Sequence, residues 1–422
     1  MRLKIFTQYY PPDYAATGQL IEELVDHLGG DEIQVEVFTS QPSYAFDNTR
    51  APVREKTSSA FVHRSRSTRF WPRRIRGKAI EACVFTIRTF LNLIRSRWHL
   101  DVLLLTTAPP FLPWIGYIGN ILFGLPYICL MYDLYPDIII ELNVISSENI
   151  LVKFWNALNC LTWLRAKSVI VLSSTMRDRV IERCPGIASK VHVIHSWADP
   201  LKIVPIPKTE NWFAHKYDLV NYFTVLYSGN MGRCHDLETI LEAAKYLQEY
   251  PVRFVFIGNG AKHQVLVEVI EDWNLKNCLL LPYQESDTLP FSLTACDLSL
   301  VSISAGMEGL VVPSKLYSAL AAGRPVAAIC ESHSYLNSLI EEAHCGKTFL
   351  NGDSQLLSYF IIELMKNPEL VVSLGRSGRQ YMLHNFTPDV ISRHYAKVIT
   401  GRSSSLTKYQ SRSCLLFKSI RY

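Results

Sequence analysis

The stretch from Ser304 to Ala328, SAGMEGLVVPSKLYSALAAGRPVAA, constrains the fold most. It reads as a strand end, a glycine-rich turn, a helix opened by Pro313 and closed by Gly323, and a buried strand starting at Pro325. Pro just inside a helix start and Gly just past its end follow the usual asymmetry of helix termini. A strand–helix–strand crossover joins parallel strands. The turn Gly306-Met307-Glu308-Gly309 then lies against the free N–H groups of a helix start, a natural seat for phosphate. Lys315 in the first turn would add a point charge. The same residues serve equally well as a plain crossover with a solvated lysine.

The pattern recurs along the chain. Leu3 to Tyr9 is a strand broken by Tyr10-Pro11-Pro12-Asp13, and Gly18 opens a helix that Gly29-Gly30 ends. Leu20, Ile21, Leu24, Val25 and Leu28 share one face of that helix, and Ile33 to Thr39 is the next strand. Tyr222 to Tyr227 is a strand followed by Ser228-Gly229-Asn230-Met231-Gly232-Arg233, with Asp236 capping a helix behind it. Strand, glycine turn and helix cradle a phosphate, and the Arg233 fork can bridge two oxygens of a diphosphate. Val252 to Ile257 with Gly258-Asn259-Gly260 repeats the arrangement. Further strands are expected at Ser168–Ser173 (helix cap at Ser174 or Thr175), Val191–Ile194, Cys278–Leu281 and Asp297–Val301. A last helix is expected over Phe386–Thr400.

At 422 residues the chain exceeds the size at which one core stops growing, so two domains are expected. Between Asp101 and Asp133 no residue is charged. Seven Pro and Gly positions there argue for strand (Val102–Thr107), helix (Leu112–Phe123) and strand (Tyr127–Met131) over a spanning helix. Asp133 then stands at the carboxyl end of a buried strand, where open α/β sheets meet ligands, with Asp137 a second acid nearby. Either could instead cap the following turn. His192 and His195 would not converge at the end of a strand, and no third ligand is near, so no metal is expected.

The net charge of +5 divides unevenly: residues 1–208 carry 24 basic and 18 acidic groups, residues 209–422 carry 19 and 20. Arg64 to Lys78 holds seven cations and no acid, interleaved with Phe70, Trp71 and Ile75. The helical pattern Gly77–Arg97 follows it, apolar nearly all round. Together they suggest an anionic membrane surface as a partner, with a solvated loop and a core helix as equal alternatives. No nucleic-acid module accompanies the basic block. Ten scattered cysteines without a C-x-x-C pair fit small buried thiols in a reducing compartment. With no signal-peptide-like run at the start, a cytoplasmic location is expected, peripheral on the membrane's inner face. The tail 401–422, with five cations and no acid, reads as disordered.

Glu308-Gly309-Leu310-Val311-Val312 followed by Ala322-Gly323-Arg324-Pro325-Val326 resembles the donor-binding segment of the family-four retaining glycosyltransferases. The resemblance is nearest to bacterial enzymes of colanic-acid, O-antigen and capsule assembly, the fucosamine-transferring type included. It implies two Rossmann-like, doubly wound parallel-sheet α/β domains facing across a cleft, the B-type fold. Residues 1–200 would bind the acceptor and 201–385 the nucleotide sugar, and 386–400 would be a helix returning to the first domain. By the resemblance, Gly18 and its turn face the donor phosphates. Gly229, Asn230, Gly232, Arg233 and Gly258 surround the diphosphate, and Tyr283 stacks on the base. Glu308, Gly309 and Leu310 hold the sugar, and Asp133 attends its reacting face.

The chain departs from that family in two places. The family carries Glu, seven residues, then a second Glu for the ribose. Matching Gly-Leu-Val-Val puts Gly306 and Ser314 at those positions, whereas matching Ala-Gly-Arg-Pro puts Ser318 at the second. A hydroxyl would then serve the ribose. The family's lysine a few residues past Gly-Arg is absent, His235 and Asp236 standing in that region, and Lys315 is the proposed replacement. The expected activity is metal-independent transfer of a hexosyl or acetamidohexosyl group, without cofactor, from a nucleoside diphosphate sugar to a lipid-linked or saccharide acceptor. The product would be cell-surface polysaccharide. The alternatives are a nucleotide-sugar epimerase on the same fold and a non-catalytic membrane-associated partner subunit.

Overall fold

A computed structural model describes residues 1–13, 15–29, 33–42, 50–66 and 75–401. Two sheets organise it. The first holds β1 (Arg2–Phe6), β2 (Gln34–Thr39), β3 (Arg54–Lys56), β4 (Ala60–Arg64), β5 (Val102–Thr106), β6 (Tyr127–Met131), β7 (Ser168–Val171) and β8 (Val191–Val193). Their order is β3-β4-β2-β1-β5-β6-β7-β8, parallel except for β3 on β4. The second holds β9 (Phe223–Ser228), β10 (Val252–Ile257), β11 (Cys278–Leu281), β12 (Leu298–Ser302), β13 (Val326–Ile329) and β14 (Gly346–Phe349). Their order is β11-β10-β9-β12-β13-β14, all parallel. Parallel strands are covered on both faces, which is why β5, β6, β7 and β12 are buried throughout.

Strand order reverses between β1 and β5 and again between β9 and β12. Such switch points open crevices beyond the carboxyl ends of the strands, where ligands of doubly wound sheets bind. The crevice of the second sheet is therefore framed by the turn after β9 and the loop after β12. One apolar cluster runs from the first sheet through the lobe junction to one face of the second sheet, and another fills that sheet's opposite face.

Several expectations change. The helix Ser174–Arg183 is capped by Ser173, whose hydroxyl accepts from the Met176 amide at 3.1 Å, because Ser173 is the last extended residue. The final helix is Pro388–Thr400, and Phe386 ends a separate helix, Pro368–Asn385. Pro388 sets this start, its missing N–H being harmless in a first turn. That final helix packs on Ala16–Leu28 of the first lobe. Cys160 and Cys184 form a disulfide rather than standing as two thiols, while seven other described cysteines are free.

Arg64 also departs from the basic block. It is buried, and its guanidinium donates to Pro11 O at 2.7 Å and Pro52 O at 3.1 Å and pairs with Glu55 at 2.6 Å. A cation with that many carbonyl and carboxylate acceptors is a structural tie between β4 and the loop after β1. Residues 67–74 of the block, Gly30 and the tail from 402 lie outside the described residues. No helix among the described residues is long and apolar enough to cross a membrane.

Replacing Arg64 by Met should destabilise the fold by about 2 kcal/mol, the scale of lost charge-assisted hydrogen bonds to buried acceptors. Denaturant unfolding would read this as a lower midpoint, and an unchanged midpoint would return Arg64 to the solvated block.

Candidate functional site

The turn after β9 forms one wall. Gly229 has φ +122° and Gly258, after β10, has φ +134°. A Cβ on Gly258 would lie 2.1 Å from Gly229 O, so only glycine lets the two turns touch. Met231 N donates to Asn259 O at 2.9 Å and Lys262 N to Met231 O at 2.9 Å, which laces the turns together. Gly232 lies beside the Asn230 side chain. Ser304 N donates to Cys234 O at 2.9 Å, fixing the loop after β12 against the same turn.

Lys315 enters this turn from the helix Lys315–Ala321. Its Nζ donates to Asn230 O at 3.0 Å and sits 4.8 Å from the centre of the Tyr227 ring. Its stem lies against Gly229, where a Cβ would come within 3.1 Å of Lys315 Cε. Burial pulls its amine down to about 7. Arg233, in the same turn, is exposed and pairs with nothing among the described residues. Lys315 thus reaches, from its own helix, the turn that also carries Arg233.

Asp133 faces this wall from the first lobe. Burial raises its carboxyl to about 6, and the Asp133 charge, after burial, helps push the Cys234 thiol up to about 11. Thr107 Oγ1 accepts from the amides of Tyr132 and Asp133 at 3.0 and 3.2 Å, holding the strand end in place. The carboxylate itself has no hydrogen-bond partner among the described residues. Asp137, the other acid considered, forms an ion pair with Arg183 and is a structural anchor.

The residues expected to hold the sugar are placed differently. Glu308 is 1% exposed, and its Oε1 accepts from Thr175 Oγ1 of the first lobe at 2.6 Å. Its Oε2 is buried without a partner. Leu310 has its side chain in the core, and its carbonyl accepts from Leu134 N at 3.0 Å. Gly309 is pressed on Thr175, where a Cβ would stand 2.8 Å from the carbonyl oxygen. Arg179 Nη2 reaches Gly306 O at 3.4 Å. This loop therefore bridges the lobes, because a short loop at a switch point that faces a second lobe meets its helix ends first.

Three more expected residues are placed as follows. Gly18 is buried with the backbone of Tyr9 and Tyr10 3.0 Å from its would-be Cβ, so it lets helix and loop meet and presents no side chain. Ser318 donates its hydroxyl to Lys315 O at 3.0 Å, which leaves only its lone pairs for a ribose. Tyr283 is 41% exposed with its hydroxyl on Asn259 O at 3.2 Å, next to the turn after β10. His195 Nδ1 lies 3.2 Å from the Tyr317 hydroxyl, and among the described residues no group of three His, Cys, Asp or Glu could hold a metal. From sequence, Thr175 was only a possible helix cap and His235 only the residue standing where the family's lysine is absent, and Arg179 was not singled out. Each acts across the lobe junction or through a neighbour, and no local spacing records that.

Two family models match the chain, one for each lobe. "Glycosyl transferase 4-like domain" takes residues 16–197 and "Glycosyl transferases group 1" takes residues 210–381. A probable glycosyltransferase, WbjE of Pseudomonas aeruginosa, is 26% identical over 71% of this chain and 74% of its own length. The putative colanic acid biosynthesis glycosyl transferase WcaI of Escherichia coli is 28% identical over 57% of this chain and 56% of its own. The fold matches that of Anabaena Alr3699/HepE, solved with UDP-glucose, at a TM-score of 0.70 and 14% identity, covering 95% of this chain and 100% of that one. With both lobes matched in order and the same two-sheet architecture, the chain belongs to the family-four-like glycosyltransferases of B-type fold.

Proposed function

We propose that the protein is a retaining, metal-independent transferase that moves a hexosyl or acetamidohexosyl group from a nucleoside diphosphate sugar to a saccharide or lipid-linked acceptor in polysaccharide assembly. The observation that carries this reading is the reach of Lys315 Nζ onto Asn230 O of the glycine turn that also carries Arg233, at the switch point of the second sheet. As the sugar's C1–O bond breaks, its electron pair stays on the leaving diphosphate and adds one negative charge to those already there. A half-buried ammonium, an unpaired guanidinium and fixed backbone N–H groups stabilise that charge without a metal ion. The acceptor hydroxyl forms the new C1–O bond on the same face and gives its proton to the departing phosphate oxygen. Asp133 lies opposite, where an ionised carboxylate steadies the positive charge that develops on the sugar. The solved relative's UDP-glucose and the names of the curated relatives support the donor class and the polysaccharide setting.

The acceptor side adds a surface. The helices Ile75–Ser96, Leu112–Phe123 and Ile150–Arg165 pack side by side. They expose Ile87, Leu91, Ile121, Leu122, Phe154 and Leu164. Six cations and a single acid, Glu81, occur in these three helices. An apolar plane edged by cations fits an anionic bilayer, into which it would sink in the plane of the headgroups. In this reading the enzyme works on the cytoplasmic face of the membrane, where lipid-linked acceptors would present themselves.

The test is incubation with a panel of nucleoside diphosphate sugars in excess EDTA. A glycoside that keeps the donor's anomeric configuration, with free nucleoside diphosphate, is expected; isomerised sugar nucleotide or no turnover would overturn the reading. Arg233→Ala should weaken nucleoside diphosphate binding by about 2 kcal/mol, roughly thirtyfold, in calorimetry. An Asp133 carboxyl raised to about 6 is ionised above that pH and protonated below it, so turnover should fall as pH drops through 6. Asp133→Asn should remove both the turnover and this acid limb while nucleotide affinity stays put. Leu122→Glu with Leu164→Glu should release the protein from phosphatidylglycerol vesicles, and unaltered co-sedimentation would dismiss the membrane plane.

A further inference from the structure

His235 stands directly behind Lys315. Its Nδ1 lies 3.0 Å from Ser302 O, at the carboxyl end of β12, and its Nε2 lies 3.4 Å from Lys315 Nζ. A carbonyl only accepts, so the ring proton sits on Nδ1 and Nε2 offers its lone pair to the lysine. The ammonium has three N–H groups. One goes to Asn230 O and one toward His235 Nε2, and the Tyr227 ring lies beneath. The third N–H has no acceptor among the described residues.

We propose that His235 is the positioning residue that fixes the Lys315 ammonium over the glycine turn and leaves one N–H for a diphosphate oxygen. The inference rests on the reading of this turn as the diphosphate site. It explains how the chain manages where resembling enzymes carry a lysine just past Gly-Arg: a neutral imidazole in that region accepts from a lysine supplied by another helix. A cation at 235 would repel Lys315 instead, so the ring has to stay neutral, and its surroundings enforce this. Lys315 from its own helix and Lys262, whose Nζ donates to His235 O at 2.7 Å, both flank it. Glu238 pairs with Lys262 on the far side, and Arg233 and Cys234 adjoin it in the turn. Burial first, then the Lys315 charge, lower the imidazole to about 3.

The sign of the pH dependence follows. The Lys315 amine, brought down to about 7 by burial, loses its proton as pH rises, and a diphosphate prefers the charged form. Binding above pH 7 should therefore take up a proton, and affinity should fall by up to tenfold per pH unit there.

Two measurements test this. The first needs no ligand: in the full-length protein, nitrogen shifts of His235 should show an Nδ1–H neutral ring down to pH 5. An Nε2–H tautomer or a charged ring at pH 5 would overturn the proposal. The second is calorimetry with UDP, GDP, dTDP and ADP at pH 6 to 9 in buffers of different ionisation enthalpy. For the tightest nucleotide, His235→Leu and His235→Phe, which accept no hydrogen bond, should bind about tenfold weaker and shift the pH midpoint down. His235→Gln, which restores an acceptor, should recover most of that loss. If whichever apolar variant melts cooperatively binds with the wild-type affinity and midpoint, His235 does not position Lys315. If wild type binds none of the four nucleotides while the ring is an Nδ1–H neutral imidazole, it is the diphosphate reading that fails, and with it the proposal.

Discussion

The arrangement depends on how closely three turns approach each other at one switch point. Gly258 sits on Gly229, Asn259 bonds to Met231, and Ser304 bonds to Cys234. A side chain at Gly258 would force the turn after β10 away from its neighbour. Lys315 can reach Asn230 O only because the loop after β12 is pinned to the turn after β9. Backbone geometry, set by parallel strands that end at one level, therefore decides where the positive charge stands.

Around that point, burial does the electrostatic work. The amine of Lys315, the imidazole of His235 and the carboxyl of Asp133 are all shifted toward their neutral forms chiefly by desolvation. A site tuned in this way would be poised before its ligand arrives, since a diphosphate bound as proposed would restore charge to the lysine. Arg233 is different: it is exposed and unpaired among the described residues.

Much of this was legible in the sequence. The helix Leu112–Phe123 and the strands Tyr127–Met131, Val252–Ile257 and Cys278–Leu281 have the expected ends, because proline and glycine mark them sharply. The turn at Gly229 was read from glycine spacing, and Lys315 was proposed beside it only because the family resemblance called for a lysine that the turn lacks; its Nζ does lie on Asn230 O. What was not legible lies between elements distant in the chain. Thr175 and Glu308 are 133 residues apart and Leu134 and Leu310 meet from different lobes, so no local pattern records either contact. Arg64 looked like one more cation in a basic run, since a run of charges does not say which member turns inward.

The Thr175–Glu308 contact ties the first lobe to the loop that also carries Gly306 and Leu310. One oxygen of that carboxylate is satisfied across the junction and the other is sealed away from solvent with no partner. Leaving such an atom dry costs about 1–3 kcal/mol. Any parting of the lobes would therefore bring this carboxylate into water and break its bond to Thr175, so the two sheets meet through a hidden acid.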